Sequence, residues 1–147
     1  MIKKSVNLEE ELAEMIEKLP NDSGINNFSY NLKFIVETWF TLIRYSKANL
    51  NGYFTSKEAY LIVDALNGQL LTTGLSFVKT LYFSVEDAIK LEQLDKKWKV
   101  DREELLKKLE ELSESEALAV YLMVFDFWNS SDHSENSLKK IFMISED

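Results

Sequence analysis

The chain has 147 residues, 4 glycines, 1 proline and no cysteine, which suits one ordinary domain and excludes a disulfide framework, a thiolate nucleophile and a cysteine zinc site. Its 25 acidic residues against 17 basic ones leave a formal charge of -8, which speaks against direct phosphate-backbone binding and is compatible with a basic partner. The opening Met1-Ile2-Lys3-Lys4 turns acidic before any apolar run forms, and no stretch reaches the roughly twenty apolar residues that span a bilayer, so the expectation is a cytoplasmic protein with neither secretion signal nor membrane partner.

Leu8, Leu12, Ile16 and Leu19 recur at helical intervals, with Glu9, Glu10, Glu11, Glu14 and Glu17 elsewhere on the helix surface. Asn7 with Glu10 offers a capping-box start, Pro20 a stop, and Asn21 to Gly24 a loop. Two periodicities then compete. Phe28, Tyr30, Leu32 and Phe34 alternate as in a short strand over 28–34, whereas Leu32, Ile35, Val36, Trp39, Phe40 and Ile43 follow a longer helical stripe, which predicts a helix from about Asn31 to Ser46.

Thr55 with Glu58 forms a capping box ahead of Ala59, Ile62, Val63 and Leu66, and Gly68 is placed to end that helix. The stripe Val78, Leu81, Tyr82, Val85, Ala88 and Ile89 predicts the next helix, to about Leu94. Asp101 with Glu104 and Ser113 with Glu116 are two more capping boxes, opening helices over about Arg102 to Leu112 and Glu114 to Trp128. The second of these is apolar on most sides, so it is expected at the centre of the core. After the polar run Asn129 to Ser137, Leu138, Ile141, Phe142 and Ile144 predict a short last helix. The fold expected over 1–147 is therefore all-α or mostly α: a single compact bundle of five to seven amphipathic helices, with a short strand at 28–34 as the competing local reading.

No catalytic apparatus stands out. The single histidine, His133, lies between Asp132 and Ser134 in the most polar loop, and neither a nucleophile elbow, a zinc-protease helix nor a phosphate-cradling glycine loop is found. The carboxylates Asp64, Glu86, Asp87, Asp95, Asp101 and Asp126 have no metal-ligand spacing and read as exposed helix surface. The most specific pattern, Lys47 to Glu58, looks like an EF-hand calcium loop, with Asn49, Asn51, Gly52, Phe54, Thr55 and Glu58 at matching offsets. Its first position carries Lys47 where calcium needs a carboxylate. A poorer echo runs from Gln93 to Glu104, with Trp98 at the glycine position. An Asn-Gly turn and an Asp-capped helix explain both patterns equally well. Lys96-Lys97-Trp98-Lys99 is a small basic patch whose tryptophan is expected to pack on the adjoining helix while its lysines stay hydrated. The expectation is a non-enzymatic chain with neither metal nor cofactor site.

Several phrases from Tyr60 onward carry a resemblance: Asp64 to Gly68, Val85 to Ile89, Leu94 to Asp101, Glu116 to Ala119, and Phe127-Trp128. Over less than half of the chain they resemble a family of small proteins of bacteriophage and other mobile elements. The phrases are mostly caps and core positions, so the resemblance implies an architecture and an origin, and no functional residue is carried over. Small acidic proteins of that origin often block host defences. The expected function is thus a protein-binding module, an inhibitor of a host defence nucleoprotein such as a CRISPR effector, whose partner is a host or phage protein with a basic nucleic-acid-binding surface. The contact residues expected are Glu9, Glu10, Glu14 and Glu17 on the first helix, Glu103, Glu110, Glu111 and Glu114 further on, and Trp98. A homo-oligomeric accessory protein, using its aromatic surplus to form a homodimer, and a degenerate EF-hand-like helix-loop-helix module are the alternatives.

Overall fold

A computed structural model of the chain describes residues 7–19, 28–67 and 76–145. Among them the fold is all-α, with eight helices: α1 (Glu10–Glu17), α2 (Phe28–Asn49), α3 (Ser56–Ala65), α4 (Phe77–Glu92), α5 (Leu94–Trp98), α6 (Arg102–Glu110), α7 (Glu114–Asn129) and α8 (Glu135–Ile141). The readings at Pro20, at the loop Asn21 to Gly24 and at Gly68 lie outside the described residues. By its contacts the chain divides into two compact units, residues 1–42 and 43–147, with α2 continuing across the division.

In the first unit the longer helical stripe is what forms, and two readings are corrected, the competing strand and the first capping box. The strand at 28–34 is absent: α2 begins at Phe28 and continues beyond Ser46 to Asn49. A strand without a neighbour leaves its backbone groups unpaired, whereas a helix satisfies them internally. The Asn7 capping box is also absent, because the N-cap is Glu9, with no side-chain cap bond. What ties α1 to α2 is Asn31, a buried amide whose Nδ2 donates to the carbonyls of Ile16 (2.8 Å) and Glu17 (3.1 Å), with a longer contact to Leu19 (3.4 Å). One side-chain amide thereby serves carbonyls at the end of the helix, of which that of Ile16 also accepts the Leu19 N–H at 3.3 Å.

The second unit holds an extensive core, formed by residues such as Leu50, Leu61, Ile62, Leu81, Leu105, Leu109, Met123 and Phe142. Helix α7 lies centrally as expected, packed on α3, α4 and α8, while α4 also packs on α6, and α3 on α5. Its apolar surface exceeds what its neighbours cover. Ala117, Val120, Val124 and Phe127 are buried, but Phe125 is exposed. Tyr121 is buried without a hydrogen-bond partner of good geometry; burial, the larger effect, pushes its phenol pKa up and the facing Ser84 hydroxyl pulls against it.

Of the other three predicted capping boxes, Ser113–Glu116 closes in both directions. Thr55 accepts from the Glu58 N–H and Asp101 from the Glu103 and Glu104 N–H groups, so these caps form from one side. The Glu58 side chain is bound elsewhere. The helix count exceeds the five to seven expected because α4 stops at Glu92, and α5 is bracketed by Gln93 and Lys99, both left-handed at φ 53° and 54°. Gly52 is also left-handed, at φ 68°, and its N–H donates to the Met143 carbonyl at 3.0 Å, tying the turn after α2 to the end of α8.

Candidate functional site

The EF-hand-like segment and its echo come together. Thr55, Ser56, Lys57 and Glu58 face Lys99, Val100, Asp101 and Glu104 across a cleft of about 340 Å³. Its chemistry is internally satisfied. The Lys108 ammonium donates to both carboxylate oxygens of Glu58, at 2.8 and 3.0 Å, so the carboxylate at the last loop position already holds a cation supplied by the chain. Thr55 and Asp101 spend their side-chain oxygens on helix N-termini, and Lys47, at the first loop position, lies 3.7 Å from Asp126. Among the described residues no group of three or more His, Asp or Glu side chains is arranged to hold a metal ion. The cleft therefore reads as a junction between α3 and α6.

Trp98 packs as the sequence suggests. Its ring stacks on Tyr60, with centroids 4.8 Å apart and planes 7° from parallel, and its Nε1 donates to Asp64 at 3.0 Å. Lys97 departs from the expectation of hydrated lysines, because its Nζ reaches the same Asp64 oxygen at 2.7 Å. Desolvation, the largest single influence, pushes the Asp64 carboxyl up, but the hydrogen bonds from Lys97 and Trp98 and the Lys97 charge outweigh it and hold the carboxyl below its ordinary 3.8. A depressed carboxylate stabilises the fold fully above its unfolded-state value, and that contribution is lost as pH falls through the folded-state value. Asp64→Asn is therefore expected to cost about 1 kcal/mol at pH 7 in urea unfolding, screening by water at half-exposed Lys97 keeping the figure small. The difference from wild type should shrink from about pH 4 downward. A difference that holds constant with pH would remove the carboxylate's charge from the account.

His133 is exposed, with its ring against Phe127 and Trp128 at centroid distances of 5.1 and 5.3 Å. Trp128 is itself anchored through Nε1 to the Val63 carbonyl at 3.0 Å. The histidine thus belongs to a ring cluster at the end of α7.

An extended concave surface lies along α4 and α6. One groove of about 700 Å³ is lined by Ser76, Val78, Lys79, Tyr82, Phe83 and, across from them, Glu110, Leu112, Ser113 and Glu114. A second, of about 310 Å³, continues from the shared Tyr82 and Glu110 along Glu86, Arg102, Glu103, Leu106 and Lys107. Helical spacing explains the lining. Leu81, Val85 and Ile89 of α4 enter the core, which leaves Tyr82 half-buried at the edge and Phe83 56% exposed.

Comparison of the chain with protein-family models, curated proteins and solved structures finds no match.

The structure places three of the expected contact residues along these two adjoining grooves, Glu114 in the first, Glu103 in the second and Glu110 in both, and Glu111 is exposed. Glu114 is not free for a partner. Its carboxylate accepts from the Ser76 hydroxyl at 2.5 Å and the Phe77 N–H at 2.6 Å, capping the start of α4. The Ser76 hydrogen bond is the main cause of its lowered pKa, helped by the Phe77 and Val78 N–H groups. Glu9, Glu10, Glu14 and Glu17 are all exposed on the first unit, and Trp98 is half-buried away from the channel lining. Sequence reasoning missed Val78, Tyr82 and Phe83 as channel residues. The available signal was Phe83, a large aromatic off the apolar stripe of α4.

Proposed function

We propose that the protein is a non-enzymatic protein-binding module whose α4–α6 channel takes an apolar-anchored, basic segment of a partner. The observation that carries this reading is that two adjoining grooves, sharing Tyr82 and Glu110, place the exposed ring of Phe83 and the half-buried Tyr82 near the carboxylates Glu86, Glu103 and Glu110. Buried aromatics supply most of the energy at such contacts, and charges set register and encounter rate. Lys79, Arg102 and Lys107 interleave with the carboxylates, so the channel selects a register, while the formal charge of -8 supplies the long-range attraction to a basic partner. That charge and the resemblance to mobile-element proteins together favour a nucleic-acid-handling protein of a host defence system, such as a CRISPR effector, whose cationic channel the acidic exterior would block.

The test is affinity capture from host lysate with mass spectrometry, repeated with Phe83→Ala and with Glu103→Lys/Glu110→Lys. Each variant is expected to weaken capture about tenfold, corresponding to ~1.4 kcal/mol. The charge variant should also lose salt sensitivity. Undiminished capture by both would remove the channel from the function.

A further inference from the structure

Three of the charged side chains that line the α4–α6 grooves are already engaged within the fold. Glu86 is paired with Lys90 at 3.2 Å, Glu114 accepts from the Ser76 hydroxyl and the Phe77 N–H, and Lys79 lies in the field of Glu114. Among the described residues the others, Arg102, Glu103, Lys107 and Glu110, have no side-chain hydrogen bond or ion pair. The charge open to an occupant is therefore balanced, two cations against two carboxylates, although the chain as a whole stands at -8. A uniformly basic segment would set its cations against Arg102 and Lys107 as well as against the carboxylates, and like charges placed together are what exclude a wrong partner. Glu103 and Lys107, four apart on one helix, are spaced to satisfy each other, which leaves Arg102 and Glu110 at its two ends.

Arg102 is the one its own helix supports least. It is the first residue of α6, where the aligned peptide dipoles disfavour a cation, and the neighbouring Asp101 spends its carboxylate on the Glu103 and Glu104 N–H groups at 3.0 and 3.1 Å. A residue that breaks a local rule with no compensation inside the fold marks a place where a partner supplies it. The guanidinium presents a fork of donors that matches a carboxylate in two parallel bonds. Resting on the channel reading above, we propose that the partner segment carries an acidic residue against Arg102, in addition to its apolar anchor and its basic residue. The register follows from α6. Glu110 borders both grooves together with Tyr82, so the basic residue sits beside the aromatic anchor, and the acidic one lies the length of α6 away, about 12 Å along its axis. The segment thereby docks in one direction only.

The experiment selects displayed random peptides on the full chain, discards those that also bind Phe83→Ala, and repeats the selection on Arg102→Glu. Both substitutions lie at exposed positions, so far-UV circular dichroism should retain wild-type helicity. On wild type the retained peptides should share an apolar anchor, a basic residue and one acidic position, and on Arg102→Glu that position should turn to lysine or arginine. A synthetic peptide of the wild-type consensus should lose about tenfold in affinity when its acidic residue becomes alanine, and less than about twofold when the same change is read on Arg102→Ala. Phe83-dependent peptides that carry basic residues and no shared acidic position overturn the inference and leave the channel reading standing. So does an unchanged consensus on Arg102→Glu. A library that yields no Phe83-dependent peptide removes the channel reading, and the inference with it.

Discussion

Lys108→Met should destabilise the protein by about 3 kcal/mol, although it removes a residue on the polar side of an exposed-looking helix. The reason is the group left behind. The Glu58 side chain is 6% exposed and Lys108 22%, so the ammonium reaches in from the surface to neutralise a carboxylate that water hardly touches. Without it the carboxylate is buried and unpaired, a state that costs roughly 3–5 kcal/mol in dry interiors, reduced here by the partial access at Lys108. The converse change, Glu58→Gln, should cost nearer 1 kcal/mol, because the freed ammonium can turn toward water. Replacing both by apolar residues, Glu58→Leu/Lys108→Met, should recover most of the single-variant loss. The bond from the Tyr53 hydroxyl to the Lys108 carbonyl, 2.7 Å, involves backbone and survives every one of these changes. Urea denaturation of the four proteins gives the coupling energy directly. Strictly additive single and double losses would show that the two charges do not interact.

The same pair shows what a sequence can and cannot reveal. Thr55, Asp101 and Ser113 were legible as caps because the bonds they make fall within three residues, so local chemistry decides them. The Glu58 partner lies fifty residues away, and its side chain therefore followed the tertiary fold instead of closing the Thr55 capping box. Helix α5 was hidden for another reason. Chain reversals are signalled by glycine or asparagine, and here Gln93 and Lys99 hold the left-handed positions, so packing overrides propensity and leaves no local mark. At 28–34 the alternating pattern was real but coincidental: Phe34 points to solvent within a helix, and the decisive residue is polar Asn31, whose buried amide serves α1. Of the carboxylates read as exposed helix surface, Asp87, Asp101 and Asp126 are exposed whereas Asp64, Glu86 and Asp95 are half-buried, and only part of the acidic set converges. Glu103, Glu110 and Glu114 line the two adjoining grooves because α6 and the start of α7 both border α4, a neighbour relation that periodicity does not encode.

Phe142→Ala is expected to give the largest loss, about 4 kcal/mol, at a position just past α8. Phe142 is 0% exposed, and its ring meets Phe54 edge-on at 6.4 Å. It also closes α8 as the C-cap, its N–H bonded to the Leu138 carbonyl at 2.9 Å. The next residue, Met143, accepts the Gly52 N–H, so the side chain that fills the core also holds the strap between α8 and the turn after α2. Removing the ring leaves a cavity that a seven-residue helix can close only by shifting, and the shift would pull on the Gly52 turn. Two readouts follow. Urea unfolding should show the full loss, and hydrogen exchange should show α8 amides and the Gly52 amide losing protection together, ahead of those in α7. Phe125→Ala supplies the contrast, since that ring is 63% exposed and its truncation should change stability by less than about 0.5 kcal/mol. Equal losses for the two phenylalanines would mean that burial, the basis on which the core is assigned, does not govern the energetics of this fold.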